Sequence, residues 1–190
     1  MSTADRAFSA YLAMSGAIFT AVLTLFSLRS FIAFPSLRRC AQNKVILYLT
    51  LSELVMSGNI LFAAVTVLMH NGQPLPHPST QCTVNGILMQ VTAADKASMF
   101  LFYMSMLIMF KKGNRSAAAM TTLLLTLNFF LFLGMALLGA FMWGGYVPSL
   151  LWCWVDATRT WEVAVFLYGW AAIASTAGIA TILYLLYLSV

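Results

Sequence analysis

What most constrains this chain is a series of five apolar segments with almost no charge inside them. They cover about residues 8–34, 45–69, 83–110, 116–142 and 161–190, each near or above the roughly 20 residues a helix needs to cross a bilayer. Backbone amides in lipid must bond within the segment, and these segments lack the two-residue alternation of a barrel strand, so transmembrane helices are predicted. Only 8% of the 190 residues are charged and 62% are hydrophobic. A soluble domain carries about 25% charged residues, and no polar stretch here is long enough to build one. The expected fold is an all-α membrane protein, one polytopic domain over residues 1–190 with five transmembrane helices.

The net charge of +5 comes from ten Lys and Arg split among short loops, which is membrane topology and not a nucleic-acid surface. Arg29, Arg38, Arg39 and Lys44 lie in or beside the first gap, and Lys111, Lys112 and Arg115 make up most of the third. The second gap, HNGQPLPHPSTQ, has no Lys or Arg and is rich in turn formers. The fourth sets Arg159 against Asp156, with Glu162 just beyond. The positive-inside rule places gaps one and three in the cytoplasm, and the N-terminus with gaps two and four outside. MSTADRAF precedes an apolar run too long for a signal-peptide core, so the first helix is expected to serve as the targeting signal. Asn114-Arg115-Ser116 matches a glycosylation acceptor but falls on the cytoplasmic side, where the match is one of spacing alone.

That orientation sorts the three cysteines. Cys82 and Cys153 share the oxidising side, where disulfides persist, and are expected to bridge. Cys40 faces the cytosol as a free juxtamembrane thiol, an acceptor for palmitate. Within LLWCWVDATRTW, Cys153 stands between Trp152 and Trp154, with Trp161 close by; tryptophan favours the membrane–water boundary.

Three charged residues fall well inside the apolar segments, away from their ends: Glu53, Asp95 and Lys96. Each is costly in hydrocarbon and is expected to face the bundle interior. Glu53 lies about 12 Å in from Val45, and Lys96 about 21 Å down from Cys82. In a core of about 30 Å these depths meet, so a Glu53–Lys96 pair is expected, with Asp95 turned away from both. Ser52 with Asn59, and Thr92 with Lys96 and Tyr103, form polar stripes of the kind that hold membrane helices together, and Ala174 with Gly178 marks close packing. His70 and His77 have no Cys or carboxylate nearby, so no metal site is expected. No nucleotide-binding loop or hydrolase motif is present, and neither catalytic residues nor a cofactor is expected; the chain is read as no enzyme.

Several stretches resemble one receptor family. The loop Trp152-Cys153-Trp154-Val155 is similar to the "CW" loop of secretin-like and cyclic-AMP-receptor-like G-protein-coupled receptors, including fungal relatives. RRCAQNKVILYLTLSELVMS resembles that family's basic first loop and second helix, with Glu53 where an acidic residue is expected. CTVNGILMQ resembles the opening of its third helix, with Cys82, Gly86 and Gln90 at matching places. The resemblance runs over roughly residues 10–188 and corresponds to the first five helices of a seven-helix receptor, which implies a receptor truncated after helix five. The chain reads MLIMFKKGNR where Asp-Arg-Tyr commonly ends the third helix, and Asn128 stands among phenylalanines in the fourth. The resemblance implies a plasma-membrane protein that senses an extracellular small ligand, of unknown binding residues, and signals to a heterotrimeric G protein; a non-signalling form, and association into oligomers, are also consistent with five helices. The alternative is a small transporter or channel-like protein with Glu53, Asp95 and Lys96 as its ion path.

Overall fold

The computed structural model describes residues 3–73, 79–92, 102–109, 113–141, 145–148, 151–154, 176, 179, 180, 183, 184 and 187. It is mostly helical. Helix α1 covers Thr3–Ala33, α2 Ala41–Met69, α3 Thr80–Thr92 and α4 Asn114–Phe141, and a further helical run occupies 102–109. Among the described residues three helices are long and apolar enough to cross a membrane: Thr3–Ala33, Ala41–Met69 and Ala117–Phe141. The third apolar segment is described as α3 and the run 102–109, and the fifth at scattered helical positions from Thr176 to Tyr187.

Helix ends depart from the apolar boundaries by several residues. The helix of α1 begins at Thr3, where Asp5 in the first turn complements the dipole. Helix α2 begins at Ala41, ahead of Lys44. Apolar composition marks what lipid must cover, whereas helix termini are set by caps. Ser79 illustrates this at α3: its Oγ accepts the Cys82 backbone N–H at 3.1 Å, and its carbonyl takes the first helical bond, from Thr83, at 3.1 Å. Between α1 and α2, Pro35–Arg39 forms a short 3-10 turn with Pro at its start.

Helix α2 stops in a Schellman arrangement. Gly72 N–H donates to the Val67 carbonyl at 2.9 Å and Asn71 N–H to Leu68 at 3.2 Å. Asn71 has φ 53° and Gly72 φ 80°. A Cβ on Gly72 would stand 2.6 Å from the Thr3 carbonyl oxygen, so the start of α1 rests on this turn.

Contacts fix an up-and-down order. Thr3 meets the end of α2 at Gly72. At the opposite end, Lys44 near the start of α2 meets Ala118 and Thr122 near the start of α4, while Gln42 meets Met109 at the end of the run 102–109. The chain after α4 returns to the start of α3 through Cys153. One end of the bundle therefore holds the N-terminus, the α2–α3 turn and the disulfide; the other holds Arg38, Arg39 and Lys44.

Packing relies on small side chains, as helix association in lipid requires. Fully buried Ala10 of α1 meets Ala64 and Val67 of α2, with Ala13 and Met14 flanking. Away from this seam α1 is exposed through Phe8, Phe19 and Phe26, the outward apolar face of a helix made for lipid. At the cation end, Val45 of α2 packs on Leu125 of α4, joined by Tyr48, Leu49 and Phe102.

Candidate functional site

Residues 145–148 and 151–154 form a plug over the disulfide end. Val147–Pro148 and Cys153–Trp154 pair as a two-stranded antiparallel ribbon, Val147 opposite Trp154 and Pro148 opposite Cys153. Cys153 is bonded to Cys82 with their Cα atoms 5.3 Å apart, closing a separation of 71 residues. The plug is anchored on two sides. Leu151 is buried with Ala10, Ala64 and Val67 of the first two helices. Cys153 and Tyr146 are buried with Ala63 and Cys82, and Trp152 packs against both groups. Trp152 and Trp154 are thus half-buried packing residues; Trp161 lies outside the described residues.

Tyr146 fills a slot between α3 and α4. A Cβ on Gly86 would fall on its ring, so the close approach requires glycine. Its hydroxyl donates to the Ala136 carbonyl at 3.0 Å, and a Cβ on Gly139 would stand 3.0 Å from that oxygen. Burial pushes the Tyr146 phenol well above its ordinary value, so it stays a hydrogen-bond donor at any physiological pH.

Below the plug lies a polar node that the sequence reading did not find as a unit. Cys153 N–H donates to Asn85 Oδ1 at 2.7 Å. Asn85 Nδ2 donates to Asn59 Oδ1 at 2.9 Å, and Asn59 Nδ2 donates to the Asn85 carbonyl at 3.1 Å. Both asparagines are buried. The node links the plug, α3 and α2 through three neutral hydrogen bonds, each worth about 1 kcal/mol. Each side-chain amide uses one of its two N–H groups in these bonds, leaving one to spare. Asn59 belongs to the polar stripe seen in the sequence, and here it does hold α2 to α3; Asn85 and Tyr146 were not singled out. Asn85 is one polar residue in an apolar helix, and Tyr146 one aromatic among many, so neither stands out by periodicity.

A cleft of about 450 Å³ runs beside the node between α2 and α3, with Val55, Phe62, Val84 and Leu88 as apolar walls and Asn59 and Asn85 as its polar edge. Further along α3, Cys82, Gly86 and Gln90 share one face at four-residue spacing. Gln90 is 1% exposed, and among the described residues neither its Oε1 nor its Nε2 has a hydrogen-bond partner; the buried Thr121 hydroxyl of α4 also has none there.

The remaining expected residues separate. Glu53 is half-buried on α2 and has no ionic partner among the described residues. Asp95, Lys96, His77, Ala174 and Gly178 lie outside the described residues. Thr92 is buried and bonds back to the Leu88 and Met89 carbonyls of its own helix. Cys40 is a free, half-buried thiol whose S–H donates to Gln42 Oε1 at 2.8 Å. His70 is exposed, and the described residues hold no group of three metal-ligating side chains. The chain matches no protein-family model and no curated protein.

Proposed function

We propose that this chain is a receptor-type multi-pass protein of the plasma membrane, with its disulfide end outside, that recognises a small extracellular ligand in the cleft between α2 and α3. The orientation rests on two independent signals at opposite ends of the bundle. Arg38, Arg39 and Lys44 gather at one end, as cytoplasmic loops require, and the disulfide lies at the other, as an oxidising compartment requires. The observation that carries the reading is the disulfide-pinned node at the edge of the cleft. A covalent bond and three hydrogen bonds fix Asn59 and Asn85 beside an apolar slot, and such pre-organisation lowers the ordering cost of binding. Apolar walls with a few fixed polar groups are the usual make-up of a small-molecule site. The spare amide N–H groups select a compact apolar ligand bearing one carbonyl or hydroxyl acceptor. By its resemblance to cyclic-AMP-receptor-like receptors, the inward partner is a heterotrimeric G protein.

The test uses the purified chain in lipid nanodiscs and a panel of small apolar ketones and alcohols. Ligands are expected to raise Tm in the wild type and to lose that effect in Val84→Phe, which fills the cleft from an exposed position without touching the node. The same compounds are expected to speed nucleotide exchange on an added G protein. A panel that stabilises nothing, or that stabilises Val84→Phe equally, removes the cleft as the site; stabilisation with no effect on exchange removes the signalling role.

A further inference from the structure

The opposite end of the bundle carries a second cleft, of about 460 Å³, between α2 and α4. Its mouth holds Arg38 and Lys44, and its wall holds Leu47, Leu125 and Phe129. We propose that this cleft binds one anionic glycerophospholipid of the surrounding bilayer, with the headgroup phosphate between Arg38 and Lys44 and an acyl chain along Leu47, Leu125 and Phe129.

Charge comes first. Among the described residues no Asp or Glu lines the cleft, so none of them compensates the two cations there. Lys44 Nζ donates to Thr122 Oγ1 at 2.8 Å and to the Ala118 carbonyl at 3.1 Å. An ammonium has three N–H groups, so one remains, and the two bonds hold the charge at the mouth. Arg38 is exposed on the 3-10 turn and has no partner among the described residues. Its planar fork suits two oxygens of one phosphate. Thr122 and Thr126 also line the opening, their hydroxyls donating back to the Ala118 and Thr122 carbonyls, so the donors to a phosphate there are Arg38 and Lys44.

Shape and position then select a lipid over a free anion. From Thr122 to Phe129 the α4 helix rises about 10 Å, and along that length the wall is Leu125 and Phe129. Phe129 is partly exposed and so is available to an acyl chain from the side. A soluble phosphate would satisfy the cations and leave the exposed Phe129 ring uncovered. Basic pockets between helices at the cytoplasmic side of a membrane are where anionic headgroups bind. The inference depends on the chain crossing a membrane and is independent of the receptor reading.

Native mass spectrometry of the full chain, released from nanodiscs of phosphatidylcholine and phosphatidylserine, provides the test. The wild type is expected to keep one phosphatidylserine in preference to phosphatidylcholine. Arg38→Gln should weaken retention about fivefold, the effect of one cation near an anionic headgroup, and Arg38→Lys should recover most of it. Phe129→Ala should also weaken retention, whereas Arg29→Gln, a cation on exposed α1 that does not line the cleft, should not. Arg38 packs in no core group, so its loss leaves the fold intact. Equal retention in Arg38→Gln and wild type, or an equal drop in Arg29→Gln, overturns the proposal. So does full displacement by soluble glycerophosphoserine, which would show that the site takes a free phosphate and needs no acyl chain.

Discussion

Replacing Asn85 by Leu removes the centre of the polar node while keeping a side chain of similar size. Two groups lose their partners. The Cys153 N–H, bonded to Asn85 Oδ1 at 2.7 Å, and Asn59 Oδ1, bonded to Asn85 Nδ2 at 2.9 Å, are left buried and unpaired. Each such loss costs about 1–3 kcal/mol, so together they cost roughly 2–4 kcal/mol once α2 and α3 relax. For a chain of this size, that corresponds to a fall in Tm of about 5–12 °C. Asn59→Leu leaves the Asn85 amide without its acceptor and removes one donor from the Asn85 carbonyl, which still lies within the α3 helix, and should cost less. In the double variant the asparagine-to-asparagine bond is already gone. Its loss should therefore fall short of the sum by about 1 kcal/mol, within the range of interhelical polar pairs in lipid. Thermal unfolding of the three variants, each with the Cys82–Cys153 bond verified as intact, measures the cycle. A strictly additive double variant, or an Asn85→Leu loss under about 1 kcal/mol, would refute the node as a structural unit.

Three further outcomes follow from neighbouring geometry. Gly86→Ala places a methyl on the Tyr146 ring and is expected to cost about 1–3 kcal/mol by overpacking; Gly139→Ala, which meets only the phenol oxygen at 3.0 Å, should cost less. Gly72→Ala must take a φ of 80° and approach the Thr3 carbonyl, so its Tm should drop, and amide exchange should show the start of α1 loosened first. The raised Tyr146 phenol stabilises the fold fully below the ordinary tyrosine value of about 10. That contribution should be lost as pH rises beyond 10, while Tyr146→Phe, short of one bond to Ala136, should show a smaller alkaline loss.

What the sequence makes legible is what repeats or counts. Long apolar stretches identify α1, α2 and α4 as spans, since nothing else accounts for so little charge. Asn71-Gly72 announces a turn because few other residues accept φ above zero. Cys82 and Cys153 are recognisable as partners because the orientation expected from the positive-inside rule groups only these two on the oxidising side. Helix ends were less legible, for polar residues such as Thr3 and Ser79 extend or cap a helix without adding to its apolar pattern. Asn85 and Tyr146 were hidden for a different reason. Their importance comes from tertiary partners 26 and 10 residues away, and a lone polar side chain in an apolar helix carries no sign of its partner. Gly86, legible only as part of a resemblance, acquires a physical cause: it makes room for Tyr146.

The node also gives the plug a role beyond a covalent tether. In the chain-entropy view, closing a 71-residue separation limits the disordered ensemble by about 4 kcal/mol. Helices that stay inserted in lipid already restrict that ensemble, so the bond contributes less than this figure. The hydrogen bond from Cys153 to Asn85 acts on the folded state, setting where the ribbon lies relative to the α2–α3 cleft. Loss of the disulfide and loss of Asn85 should therefore differ: the first frees the ribbon, and the second leaves it tethered but misplaced.

Cysteine labelling tests most directly the proposed orientation of the bundle, with its disulfide end outside and its cation end inside. Intact cells expressing the chain are treated with a membrane-impermeant maleimide, permeabilised and labelled with a second reagent, then reduced and labelled with a third, and the peptides are read by mass spectrometry. No cysteine is expected to react before permeabilisation, Cys40 alone is expected to react after it without reduction, and Cys82 and Cys153 are expected to react only once reduced. Labelling of Cys82 or Cys153 without reduction, or of Cys40 from outside intact cells, would contradict that orientation.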